Sequence, residues 1–139
     1  MPNYLNNTMI LFINTNSKEE IKFFLSDKTG NILFSKTNII DFKDSQKILS
    51  LLEEFLKESN IELSTINYLT ICNGPGINMN FRIGIIMTNS LAYILKIPII
   101  SVLSTEFNSD QEFIKIGINK LKNKEHKELV LPEYSIKKS

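Results

Sequence analysis

From Asn80 to Leu95 the sequence NFRIGIIMTNSLAYIL keeps a helical period, yet its apolar side chains point in almost every direction. Phe81, Ile85, Ala92 and Leu95 mark one face, Ile83, Met87 and Ile94 a second, and Ile86 and Tyr93 a third. A helix that is apolar all round has to be covered on all sides, by its own domain or by another molecule. A chain of 139 residues has little material for both sides. The expected outcome is a helix laid on a sheet with its outer side left for a partner.

The segments around this helix fit that arrangement. Met9 to Ile13 is a short apolar run closed by Asn14, Thr15, Asn16 and Ser17, which reads as a buried strand. Ile21 to Ser26 and Ile32 to Lys36 flank Asp27-Lys28-Thr29-Gly30-Asn31, whose glycine supplies the positive φ of a short hairpin. Asp44 or Ser45 then caps an amphipathic helix with Ile48, Leu49, Leu51, Leu52, Phe55 and Leu56 on one broad arc. Tyr68 to Cys72 is a further strand, ended by Asn73-Gly74-Pro75-Gly76. Lys96-Ile97-Pro98 stops the second helix before a strand from Ile99 to Leu103, and Ser104-Thr105-Glu106 starts a last helix through Phe113, Ile114, Gly117, Ile118 and Leu121. Lys122 to Glu128 is a charged stretch and Leu129-Val130-Leu131-Pro132 an extended tail. The order β-β-β-α-β-α-β-α predicts an α/β fold: a five-stranded mixed sheet with flanking helices, its second strand antiparallel to its first, in the ribonuclease H-like or actin-like half-domain pattern. Residues 1–107 make this domain, and residues 108–139 a C-terminal helix and extended tail packed on it.

Composition removes several functions. Sixteen basic against fifteen acidic residues leave a net charge of +1, so the totals supply no phosphate-neutralising surface for nucleic acid. One cysteine and one histidine, Cys72 and His126, make neither an internal disulfide nor a His-rich metal site, and no metal is expected. No apolar run approaches the ~20 residues of a membrane span. The start of the chain, Met1 to Asn7, lacks the basic and apolar stretches of a signal peptide, so the cytoplasm is the expected location.

The loop Asn73, Gly74, Pro75, Gly76 lies between a strand and a helix N-terminus, where backbone N–H groups favour an anion; a tight turn needing two glycines for its backbone angles is the more common reason for such a loop. Arg82, the only arginine, follows six residues after Gly76 and suits either a bidentate phosphate or carboxylate contact or a plain salt bridge. Asn14 stands at the end of the first strand, where an actin-like ATPase carries an aspartate for hydrated Mg²⁺; an amide brings no charge to that task. Asp27, Asp41, Asp44 and Asp110 read as turn and cap residues, Cys72 as a buried small side chain, and His126 as solvated.

With the loop and its helix in view, the chain resembles the bacterial TsaB (YeaZ) family. That family runs G-P-G, a small and an aromatic residue, T-G, then L-R-I-G at a helix start, and later G-I-P, a short strand and S-T-L-E. Here Gly74-Pro75-Gly76, Ile77-Asn78-Met79-Asn80, Phe81-Arg82-Ile83-Gly84, Lys96-Ile97-Pro98 and Ser104-Thr105-Glu106 take those places at the same spacing. Upstream, Ile13-Asn14-Thr15-Asn16 corresponds to I-D-T-S and Asp44-Ser45-Gln46-Lys47-Ile48-Leu49 to H-S-x-x-L-L. The likeness spans residues 8 to 107, and Leu131-Pro132-Glu133-Tyr134 is similar to the family's closing P-x-Y-L-R, as if a second half had been deleted internally.

The resemblance implies a non-catalytic subunit of the machinery that places threonylcarbamoyl on the adenosine beside the anticodon of tRNA. It implies pairing with a TsaD-like catalytic subunit through the first two helices, a homodimer through the same surface in isolation, recruitment of a TsaE-like ATPase, only indirect contact with tRNA, and no cofactor. The interface residues it points to are Ile48, Leu52 and Phe55 of the first helix and Ile83, Ile86, Met87, Ser90 and Ile94 of the second. A small actin-like enzyme using Gly74 to Gly76 for a nucleotide or acyl phosphate is the alternative. A ribonuclease H-like nuclease would need carboxylates clustered at strand ends, and Asn14 argues against it.

Overall fold

A computed structural model describes residues 8–134; Met1 to Asn7, read above for a leader, and residues 135–139 lie outside the described residues. The elements come in the expected order: β1 (Ile10–Asn14), β2 (Glu20–Ser26), β3 (Ile32–Ile39), α1 (Ile48–Glu58), β4 (Tyr68–Cys72), α2 (Met79–Leu95), β5 (Ile99–Val102) and α3 (Asp110–Lys122). The strands form one mixed five-stranded sheet in the order β3-β2-β1-β4-β5. β2 is antiparallel to both β1 and β3, while β4 is parallel to both β1 and β5.

β1 is the central strand, and Ile10 to Ile13 are fully buried. Leu11 and Ile13 join a core shared with α1 and α2, whereas Ile10 and Phe12 face the opposite side with α3. A strand covered on both faces reads as a continuous apolar run, which is why this segment shows no polar alternation. Two glycines set how closely the helices approach. A Cβ on Gly84 of α2 would lie 1.9 Å from Thr15 Oγ1, and one on Gly117 of α3 would lie 2.7 Å from the Phe12 ring.

Helix ends follow local chemistry. The first helical segment begins earlier than expected, as a 3₁₀ turn over Phe42–Lys47 capped by Asp41, whose side chain accepts from the Lys43 N–H. α3 is capped by Ser109, whose Oγ accepts from the Glu112 N–H at 3.2 Å. Ser104–Glu106 is a separate 3₁₀ turn, so the cap-like Ser104-Thr105-Glu106 does not start α3. α1, α2 and α3 are followed by Asn60, Lys96 and Lys124 at φ of 56°, 57° and 58°. The amides of Ile61, Ile97 and Glu125 each reach back to close a last turn, on Leu56, Ala92 and Lys120.

The burial pattern corrects part of the expected interface. Ile48, Leu52 and Phe55 of α1 are turned onto the sheet, where the Phe55 ring stacks on Phe23 with centroids 5.7 Å apart. Met87 is also buried, because α2 presents Phe81, Gly84, Ile85, Thr88 and Ala92 inward with Met87 and Leu91 at the flank of that arc. Leu95, expected to face the sheet, is half-buried, and Ile83 packs partly against the core.

Candidate functional site

Two places gather the residues singled out by sequence. The first is the end of the sheet where β1, β4 and the N-terminus of α2 meet. Asn14 does stand at the end of β1, and its Oδ1 accepts from the Asn16 N–H at 3.1 Å. Asn78 Nδ2 donates to the Asn16 carbonyl at 2.8 Å, Asn80 Nδ2 to the Ser17 carbonyl at 3.1 Å, and Ser45 Oγ to Asn80 Oδ1. This network ties the loop after β1 to α2 with uncharged groups throughout.

Beside it lies a cavity of about 220 Å³ lined by Asn14, Asn16, Ser17, Glu20, Lys22, Cys72, Ser104 and Phe107. Lys22 Nζ is held by Asp110 at 3.1 Å, so Asp110 serves as an ion-pair partner besides sitting in the first turn of α3. Both groups are partly exposed, and such a pair contributes under about 1 kcal/mol. Burial pushes the Cys72 thiol up to about 11, against a smaller lowering by a backbone hydrogen bond at Gly74. A thiol held neutral in this way is a poor nucleophile. Among the described residues no three His, Cys, Asp or Glu side chains are grouped to hold a metal.

The glycine loop is already in use. Gly76 donates its N–H to the Glu133 carbonyl at 3.1 Å, Ser104 donates its N–H to the Gly74 carbonyl, and Asn73 Nδ2 donates to the Leu131 carbonyl at 2.8 Å. Gly74 sits at φ +82°, and a Cβ there would lie 2.4 Å from the Glu133 oxygen. The first turn of α2 is capped by Asn78, whose Oδ1 accepts from the Phe81 N–H at 2.8 Å. Arg82 lies over the Tyr134 ring at 5.7 Å and has no carboxylate partner among the described ion pairs. The Gly76 N–H of this loop is thus taken by the chain's own C-terminal segment; Gly74 needs its positive φ, whereas a Cβ on Gly76 would meet the Asn16 side chain and the Phe81 ring.

The second place is the outer face of α2. Ile86 is 61% exposed, Ile94 70% and Tyr93 84%, with Ser90 and Arg82 on the same arc. On α1, Leu49 rather than Leu52 is exposed, at 47%. Tyr93, which shares the arc of Ile86 seven residues before it, belongs to this exposed face as well. His126 is exposed near Tyr68, with ring centroids 6.0 Å apart.

A family model described as "TsaD: tRNA N6-adenosine threonylcarbamoyltransferase" matches residues 41–121. The tRNA threonylcarbamoyladenosine biosynthesis protein TsaB of Buchnera aphidicola subsp. Acyrthosiphon pisum (strain APS) is 34% identical over 73 residues, covering 52% of this chain and 33% of that protein. The chain therefore spans about a third of that relative's length. YeaZ from Pseudomonas aeruginosa has the same fold with a TM-score of 0.61 and 24% identity, over 69% of this chain and 44% of that one. A second structure, that of a protein with similarity to peptidase YEAZ from Pseudomonas aeruginosa, matches at a TM-score of 0.60 and 24% identity, over 69% of this chain and 43% of its own.

Proposed function

We propose a role for the chain from one premise: it belongs to the tRNA N6-adenosine threonylcarbamoyltransferase (TsaD) family and is of the TsaB (YeaZ) kind. It acts in the synthesis of threonylcarbamoyladenosine in tRNA as a non-catalytic scaffold, in the cytoplasm, docking a TsaD-like catalytic subunit through the outer face of α2 and the edge of α1. In isolation the same face pairs two copies. A TsaE-like ATPase is a further partner, tRNA is reached only through the complex, and residues 108–139 belong with the domain of residues 1–107.

The observation that supports this reading is the apolar outer face itself: Ile86, Tyr93 and Ile94 stand in solvent on one arc of a helix whose other side is core. Apolar strips of that kind favour association. Burying such a side chain is worth ~1.5 to 3 kcal/mol before the costs of association. The neutral amides around Asn14 and the occupied Gly76 N–H favour a scaffold over an enzyme that grips a nucleotide.

Depletion of the chain in its own host tests the role. Threonylcarbamoyladenosine should fall in the tRNA, and a pulldown with the chain should recover a TsaD-like protein. Unaltered tRNA would overturn the assignment. Steady Mg²⁺-ATP hydrolysis by the isolated chain would favour the small actin-like enzyme instead.

A further inference from the structure

The stretch from Lys127 to Tyr134 passes from the start of β5, by Asn89 of α2, to the loop after β4, and its hydrogen bonds to the body of the domain are made by its backbone. Lys127 exchanges both its groups with Ile99, N–H to carbonyl at 2.8 Å and carbonyl from N–H at 2.7 Å. Val130 does the same with one side chain: its N–H donates to Asn89 Oδ1 at 2.9 Å and its carbonyl accepts from Asn89 Nδ2 at 2.8 Å. The Leu131 carbonyl accepts from Asn73 Nδ2, and the Glu133 carbonyl from the Gly76 N–H. Val130 is the one side chain of the described stretch that enters the core, while Leu129 and Leu131 are exposed. Tyr134 lies edge-on to Phe81, centroids 5.8 Å apart, and beneath Arg82.

Side-chain amides that pair with a backbone N–H and C=O do so whatever residue carries them, and specificity then comes from the pockets for alternate side chains. Asn89 is a poor residue for the middle of a helix, and here its whole amide is spent on Val130. Gly74, with no Cβ, lets the Glu133 carbonyl come close enough to bond the Gly76 N–H.

We propose that the groove lined by Ile99 at the start of β5, Asn89 of α2 and the Asn73 to Gly76 loop after β4 is a binding site for an extended peptide carrying a β-branched aliphatic residue and an aromatic residue four positions later. The chain fills it in cis with Val130 and Tyr134, and the groove takes the same segment from a separate molecule once its own is released. The inference is independent of the outer face of α2.

A fluorescently labelled peptide of residues 127–134 is titrated into full-length wild type, Val130→Asp, and Val130→Asp combined with Asn89→Ala, with circular dichroism reporting the fold of each. The peptide should bind Val130→Asp at least tenfold more tightly than wild type, and adding Asn89→Ala should abolish the gain. Equal binding to wild type, binding that survives Asn89→Ala, or no binding to a folded Val130→Asp chain would overturn the proposal. Hydrogen exchange on the wild type decides the matter if Val130→Asp does not fold. The amides of Lys127 and Val130 should then exchange at least tenfold faster than that of Leu69 in β4, and equal protection would show that the segment is not separable from the core.

Discussion

Gly84→Ala should destabilise the fold by up to about 2 kcal/mol, although alanine is the better helix former. The substitution adds one methyl group on the buried side of α2. Its position lies 1.9 Å from Thr15 Oγ1 and 2.8 Å from both Cβ and Cγ2 of Thr15, so no rotation of that side chain clears it. Either α2 withdraws from the end of β1 or the loop after β1 shifts, and overpacking of this kind costs roughly 1–3 kcal/mol. Gly to Ala in a helix returns about 1 kcal/mol. Thr15 Oγ1 is buried without a hydrogen-bond partner, so Thr15→Ala alone should be close to neutral or slightly stabilising. The double variant loses the shortest clash, and the coupling between the two sites should be about 1 kcal/mol or more. Urea unfolding measures all three, with the Gly84→Ala midpoint expected to fall by up to about 1 M for an m-value of roughly 2 kcal/mol/M. If Gly84→Ala is more stable than wild type, α2 does not sit this close to β1, and the depth at which its outer face is presented has been misread.

Lys96→Gly should raise the thermal midpoint, since Lys96 occupies the left-handed region at φ 57° and a non-glycine residue there costs roughly 1–2 kcal/mol, part of which is offset by unfolded-state entropy; a lower midpoint would contradict the cap. Glu106 is partly buried, which works to raise its pKa, but Lys120 and the Leu103 N–H outweigh this and hold its carboxyl below the usual 4.5. The stability this supplies is present above pH 4.5 and lost as pH falls through the lower folded pKa, so Glu106→Gln should weaken the fold near neutrality and have no effect in strong acid; a pH-independent difference in urea unfolding would refute it. Cys72 should resist iodoacetamide at pH 8 while folded and react once unfolded, because its thiol is buried and titrates at about 11; rapid native labelling would place it in solvent.

The sheet and its helices were legible because each rests on a local pattern. The continuous apolar run before Asn14 marks a strand buried on both faces, and the Gly30 turn fixes the hairpin. β3 extends through Thr37 and Asn38, polar residues that end an apolar count but pair with β2 all the same. The exposed face of α2 was only half legible. A helix apolar all round has no phase of its own, so Ile86 and Met87, one residue apart, could not be sorted until the sheet set which faced inward. On α1 the strong amphipathic arc is the core-facing side, so Ile48, Leu52 and Phe55 are spent on the sheet and Leu49 at the margin is its exposed large apolar side chain. The C-terminal segment escaped periodicity because its partners Asn73, Gly76, Asn89 and Ile99 are distant in sequence and bond to backbone, which leaves no side-chain pattern to read.

Whether the outer face of α2 docks a TsaD-like subunit is asked most directly by calorimetric titration of that protein from the same host into wild type and Ile94→Glu. Ile94 is 70% exposed, so a carboxylate there leaves the fold intact, whereas Met87→Glu would bury a charge and report on folding instead. The wild type should bind, and Ile94→Glu should lose at least tenfold in affinity with an unchanged thermal midpoint, as expected for one apolar contact worth at least about 1.4 kcal/mol replaced by a desolvated charge. Equal affinity for the two proteins, or no binding by the wild type, would contradict the scaffold role.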